Sequence, residues 1–298
     1  MHAYAFCFAI ALSGTAVQKE PDARTAKWLK GDHYRIKWGT PKVFEPTVTQ
    51  LEIGDGEGHG FTLGWLRFQP DKDGVDVLSI QYDAGYKPYK SKWQPDDAPV
   101  VIKHARMKLD AYKVLIADLA IVDSAELSAM RSDSKSYSTF RNFFVGARLL
   151  EKGKTVFDLE WAGYQGSSDE VRYAKPNASV ILARAAVKKL EFKDHELTDK
   201  DREWASAKFI RDWKTFEKSK SHWWVKERYI ITIGVVGDKS AIPTLRDITA
   251  GDPKERDVYY AINAITRLIK KDVREKPIEE MDVEKTRKAV LALIKDVK

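Results

Sequence analysis

At 298 residues the chain is long for a single core and suits two domains. Its 43% hydrophobic content, with 9 Trp, 12 Tyr and 12 Phe, excludes wholesale disorder. The formal charge of +7 would attract acidic partners. However, its cations alternate with carboxylates, as in Lys193-Asp194-His195-Glu196 and Asp199-Lys200-Asp201-Arg202-Glu203, which is the pattern of a solvated face. A nucleic-acid surface needs clustered positive charge, so nucleic acid is disfavoured as a partner.

The apolar run Ala3 to Leu12, followed by Ser13-Gly14-Thr15-Ala16, reads as a secretory signal peptide (residues 1–16) cut after Ala16. The alternative is a buried N-terminal strand or helix. A run of about ten residues is too short to span a bilayer, so no transmembrane span is expected and a secreted or periplasmic location is. Cys7 is the sole cysteine and lies inside this segment. A mature chain without cysteine has no disulfide, thiolate nucleophile or Cys-ligated zinc.

Four segments then alternate as half-buried strands do: Tyr34–Trp38, Val48–Ile53, Phe61–Phe68 and Val75–Tyr82. The last is entered through the turn Asp71-Lys72-Asp73-Gly74, and together they suggest antiparallel hairpins. Ala84 to Pro99 reads as a long surface loop. Asp110 is placed to cap a helix whose Tyr112, Leu115, Ile116, Leu119 and Val122 share one face. A polar loop is expected from Ser124 to Ser138, then strands at Phe140–Val145 and Thr155–Trp161 joined by Glu151-Lys152-Gly153-Lys154. Pro176 suits the first turn of a helix carrying Val180, Ala183, Val187 and Leu190. Residues 19–197 are thus expected to form an α+β domain with an antiparallel sheet.

From Thr198 the pattern turns helical. A cap at Thr198-Asp199-Lys200-Asp201 opens a connecting helix over 198–220, whose Trp204, Phe209, Ile210, Trp213 and Phe216 are expected to pack between the two domains. Within 221–298, Tyr229 to Val236 is a helix that leads into Gly237-Asp238-Lys239-Ser240-Ala241-Ile242-Pro243-Thr244-Leu245-Arg246-Asp247-Ile248. Asp238 can cap the second helix of that pair, and Pro243 sits early in it, where a missing N–H costs little. After Gly251-Asp252-Pro253 the first helix recurs at Val258 to Leu268, about 32 residues on, which is a period of two-helix solenoids. A last helix carries Val283, Val290, Leu291, Ile294 and Val297. The Gly-Asp-x-x-Ala-Ile-Pro-x-Leu string resembles the short HEAT-like repeats of the phycobilisome-lyase type. That resemblance covers about a quarter of the chain. It implies all-α helical hairpins that bind protein, and it carries no catalytic activity with it. No family suggests itself for the α+β domain.

Candidate chemistry is sparse. Asp55, Glu57 and His59 alternate with glycines from Gly54 to Gly60 and offer oxygen and imidazole ligands for a divalent cation. The plainer reading is a flexible hairpin between strands that end at Ile53 and resume at Phe61. His33, His104, His195 and His222 stand apart from one another, and no Gly-x-Ser-x-Gly elbow, P-loop or dinucleotide fingerprint occurs. The adjacent carboxylates Asp96-Asp97 and Glu279-Glu280 diverge and read as surface charge. Tyr86, Tyr89 and Trp93, among lysines, could stack on sugars or bases, or else fold back to cover the sheet. No cofactor is implied. The expectation is a non-catalytic binding or scaffold protein that engages a protein partner through its repeats. Two alternatives stand beside it: an enzyme or binding module acting on an envelope polysaccharide through carboxylates of the N-terminal sheet, and nucleic-acid binding by a basic repeat surface.

Overall fold

A computed structural model describes residues 34–57, 62–82, 100–129, 142–162, 170–218, 223–252, 256–271, 282–295 and 297. Residues 1–16, His33, His59, the tract from Ala84 to Pro99 with Tyr86, Tyr89 and Trp93, His222, and Glu279-Glu280 lie outside the described residues.

The protein is a mixed α+β fold. Four strands, β2 (Thr49–Glu57), β3 (Thr62–Asp71), β4 (Gly74–Tyr82) and β5 (Val100–Met107), run as an antiparallel meander. Helix α1 (Leu109–Ser124) then crosses the sheet, and β7 (Asn142–Glu151) returns on the far side of β2, followed by β8 (Lys154–Asp158) and β9 (Trp161–Ala162). The two-residue β10 (Lys193–Asp194) closes the other edge, giving the order β10-β5-β4-β3-β2-β7-β8 with β9 also on β7. The hairpin expected at Glu151–Lys154 forms: Lys152 and Gly153 both have positive φ, as a two-residue turn that follows the strands' twist requires.

Neither face of this sheet meets solvent over its centre. Leu51, Ile53, Phe68, Val75, Val77, Ala147 and Leu149 alternate onto one face and pack under α1 and α2 (Glu170–Val187). The Tyr112 ring stacks on Phe68, and its hydroxyl donates to the carbonyl of Thr49 at 2.7 Å, which seats α1 on β2. Leu63, Trp65, Leu78, Ile80 and Val100 alternate onto the second face and share a core with α3 (Asp199–Lys218) and α4 (Trp223–Val236). The strands are therefore buried on both sides, unlike the half-buried strands that their alternation suggests. The helices from Asp199 onward continue the same core, with Phe209 and Trp213 at the junction.

Four local expectations are corrected. Helix α1 starts two residues earlier than an Asp110 cap would have it: Lys108 is the extended N-cap residue, its carbonyl accepts from Tyr112, and Asp110 sits in the first turn, where its charge favours the helix dipole. The expected polar loop after Ser124 begins instead as β6 (Ala125–Ala129), which pairs antiparallel with β1 (Tyr34–Trp38) because Ala125 and Leu127 turn inward. Pro176 lies inside α2 rather than in its first turn. Tyr173 and Ala174, packed into the core, hold the preceding turn in place despite the lost N–H. Finally, β2 continues through Gly54 and Asp55 to Glu57, so those residues are strand and not hairpin loop.

Beyond α4, a short 3-10 turn (Lys239–Ala241) leads into α5 (Ile242–Thr249), followed by α6 (Arg256–Ile269) and α7 (Val283–Leu293). Helix α6 packs along both α4 and α5, and α7 packs on α6 and α5. At the α4–α6 crossing, a Cβ on Gly234 would lie 2.6 Å from the Cα of Ala264, so only glycine allows this approach. Helix α3 flanks the other side. Its Arg202 donates to the Val235 carbonyl at 2.9 Å at the end of α4, and its Ser206 hydroxyl accepts from the Asp238 amide at 2.8 Å. No described helix is long and apolar enough to cross a membrane.

Candidate functional site

Buried charge is concentrated where α3 lies on the sheet. Glu52 of β2 and Arg148 of β7 are register partners on the second face. Arg148 pairs with Asp158 at 2.8 Å and with Glu160 at 2.6 Å. Glu160 in turn pairs with Lys208 of α3 at 3.1 Å, and Lys208 with Asp212, one helical turn on, at 3.2 Å. The Tyr229 hydroxyl of α4 donates to Asp212 at 2.9 Å. Glu52 accepts from the Trp204 indole at 2.7 Å and pairs with Arg211. Glu52, Lys208 and Asp212 are 1%, 2% and 1% exposed.

The local backbone makes this possible. Gly146 has φ +152°, and a Cβ there would lie 2.4 Å from the Leu159 carbonyl oxygen and 2.5 Å from the Cα of Glu160. Without a side chain on β7 at this point, the strand's exit lies flat against it and carries Glu160 into the interior. Burial pushes the Glu160 carboxyl up to about 7 against the pull of Lys208, and burial likewise raises Asp212. Burial alone would lower the Lys208 ammonium, but Asp212 and Glu160 more than reverse this.

A carboxylic acid poised near neutrality is what general acid catalysis uses. Here, however, the Glu160 side chain is 6% exposed and held by Arg148 and Lys208. The cavity beside Lys208, between Trp65, Trp204 and Tyr229, has a volume of about 20 Å³, room for one water, whereas Asp158 and Glu160 also line a wider hollow of about 470 Å³ with Glu126, Arg172 and Lys175. Four carboxylates, Glu52, Asp158, Glu160 and Asp212, face three cations, Lys208, Arg148 and Arg211, as a packed ionic seam.

A second cluster fixes the start of α3. The Asp201 carboxylate accepts from the Thr198 amide at 2.9 Å and its hydroxyl at 2.7 Å, while the Thr198 hydroxyl accepts from the Asp201 amide, so the expected cap is a reciprocal box. Asp201 also binds His195 at 3.1 Å and Arg67 of β3. Burial raises the Asp201 carboxyl, but these hydrogen bonds win and hold it far below its usual range. The histidines that stand apart in sequence meet here. Lys193 of β10 pairs with His104 of β5, which brings the His195 ring 5.3 Å from His104, itself 3.0 Å from Asp76.

Of the sequence's metal candidates, Asp55 is 7% exposed, lies on the first face of β2 and pairs with Arg184 of α2. Glu57 ends the strand opposite Thr62, and His59 lies outside the described residues. Among the described residues no group of three or more His, Cys, Asp or Glu side chains has the geometry to hold a metal.

A further cavity is a cleft of about 280 Å³ on the first face, at the end of the sheet that α2 only partly covers. Its floor is two cross-strand rows. One runs Asp55, Gly64, Gln81 and Val101, the other Ile53, Leu66, Ser79 and Lys103. Arg184 and Val187 of α2 and Phe192 wall it. Sequence reading identifies none of these as a set, apart from Asp55, because four strands contribute one or two residues each.

Comparison with known proteins finds no matching family model, no similar curated protein and no similar solved structure.

Proposed function

We propose that the chain is an exported, non-catalytic binding protein whose last four helices are short HEAT-like hairpins that engage a protein partner. The observation that carries this reading is the close stacking of α4 on α6 at Gly234 and Ala264, the first helices of the two sequence units. The motif residues fit it. Asp238 accepts from the Ser240 amide at 2.9 Å to cap the inter-helix turn, Pro243 occupies the first turn of α5, and Ala241, Ile242 and Leu245 are buried. Stacked hairpins bury one side of each helix pair and leave the other for recognition.

Catalysis on an envelope polysaccharide has less support, since the carboxylates that converge on the sheet, Glu52, Glu160 and Asp212, are buried and already paired with Arg211, Arg148 and Lys208. A nucleic-acid role is likewise weaker: cations of α7 are interleaved with acid, as in the Glu284 contacts to Arg287 and Lys288.

The test is affinity capture with the mature chain, followed by cross-linking of whatever is retained. Cross-links from a captured protein to residues 221–298 support the proposal. Retention of polysaccharide alone, or cross-links confined to the sheet region, refutes it. Intact-mass measurement of exported protein checks removal of residues 1–16.

A further inference from the structure

We propose that the cleft between the sheet's first face and α2 binds a small organic monocarboxylate with an apolar body. The argument rests on which polar groups are already occupied and which are free. Asp55, the one carboxylate of the lining among the described residues, is paired with Arg184. Lys103, Gln81 and Ser79 also line the cleft, and among the described residues none of their side chains has a hydrogen-bond or ion-pair partner. Ser79 is 7% exposed, and what it exposes lines the cleft, so its hydroxyl is open to a ligand there and not sealed inside the protein.

These free groups are one ammonium, one hydroxyl and one amide. They match a carboxylate, which accepts only, and a second cation is at hand in Arg184, whose guanidinium has donors beyond those Asp55 takes. Among the described residues the lining carries two cations against one carboxylate, so a monoanion brings it to neutrality. A cationic ligand would face Lys103 and Arg184 with only a carboxylate that is already paired.

The rest of the lining calls for an apolar body. Ile53, Leu66, Val187 and Phe192 frame the cleft, and Val101 is 42% exposed on its floor, one of few large apolar side chains so open among the described residues. Gly64, at the centre of the floor row, leaves the space. A Cβ there would meet nothing closer than the Ile80 carbonyl oxygen at 3.4 Å and the Gln81 Cγ at 3.5 Å. A volume of about 280 Å³ is at the small end for ligand pockets and suits a compact molecule.

The experiment titrates benzoate and hexanoate, with hexanamide as the neutral control, into the full chain and follows binding by calorimetry and by NMR shifts. At least one carboxylate is expected to bind, hexanamide at least about tenfold more weakly than hexanoate, and Lys103→Gln to weaken carboxylate binding by about tenfold, the size of one charge-assisted hydrogen bond. Gly64→Leu fills the floor and is expected to abolish binding. If that variant does not fold, Lys103→Gln still decides, because it leaves the strand pairing of Lys103 with Ser79 and Asp194 in place and, among the described residues, breaks no side-chain hydrogen bond or ion pair. The proposal is overturned if neither carboxylate binds up to about 10 mM, if hexanamide binds as well as hexanoate, or if Lys103→Gln leaves affinity unchanged. Because the cleft lies across the sheet from the helical array, these outcomes are independent of whether the array has a protein partner.

Discussion

Glu160 and Lys208 form a 3.1 Å salt bridge in which the side chains are 6% and 2% exposed. Neither would be tolerated there alone, since an unpaired interior charge costs several kcal/mol. Lys208→Met is therefore expected to destabilise the protein by about 3–5 kcal/mol at neutral pH, because it leaves Glu160 and Asp212 without their shared cation. The double variant Lys208→Met with Glu160→Gln should recover part of the loss. Urea unfolding midpoints at constant slope measure both; a loss below about 1 kcal/mol in the single variant would mean the seam is hydrated.

The same seam sets a pH dependence. Glu160, raised to about 7 from an ordinary value of 4.5 by burial, binds a proton more tightly in the folded chain than in the unfolded one. Its contribution to stability is complete below about pH 4.5, falls as the pH rises, and is gone above about 7. Stability should thus decline from pH 5 to 7 in wild type, and Glu160→Gln should flatten that slope. Denaturation at a series of pH values checks this. An equal slope in the variant would move the origin to Asp212, which shares the raised environment.

Strands β3 and β4 are legible because Asp71–Gly74 is a turn between alternating runs, and β7–β8 because Lys152-Gly153 is a hairpin turn. Strand β5 is not, since Lys103, His104 and Arg106 break its apolar pattern. His104 and Arg106 are acceptable because of Asp76, which lies 3.0 Å and 2.7 Å from them and belongs to the neighbouring strand, while Lys103 opens into the cleft on the other face. Strand β10 is two residues long and exists only by pairing with β5. The ionic seam is hidden for a further reason. Its pairs span 48 residues for Glu160–Lys208 and 159 for Glu52–Arg211, and charged residues in isolation read as surface. One local signal was present: Lys208 and Asp212 flank Phe209 within the apolar stripe of α3, where a solvated face would place no aromatic ring.

Asp201 joins three elements, accepting from Thr198 at its own helix start, from His195 after β10 and from Arg67 on β3. Asp201→Ala removes the reciprocal cap and strands a largely buried guanidinium, so a loss of about 2–4 kcal/mol is expected. Thr198→Ala removes the cap alone and should cost about 1 kcal/mol. The Asp201 contribution is complete above the ordinary aspartate value and is lost as the pH falls towards its depressed folded value, so the gap between Asp201→Ala and wild type should narrow in strong acid. Thermal melts of the three proteins at neutral and acid pH measure these differences.

Gly234 tests the helical stack through the sign of one substitution. In an isolated helix Gly→Ala is stabilising by about 1 kcal/mol. Here the added methyl would lie 2.6 Å from the Cα and 2.9 Å from the Cβ of Ala264, and overpacking of this kind costs about 1–3 kcal/mol. Gly234→Ala should therefore be net destabilising, with faster amide exchange concentrated in α4 and α6 and little change in the sheet under α1. Adding Ala264→Gly removes only the second of the two contacts and itself costs about 1 kcal/mol within α6, so the signature is a favourable coupling: the double variant should lose less than the sum of the two single losses. A stabilising Gly234→Ala would mean that α4 and α6 are not packed at this distance in solution, and would remove the main support for stacked hairpins.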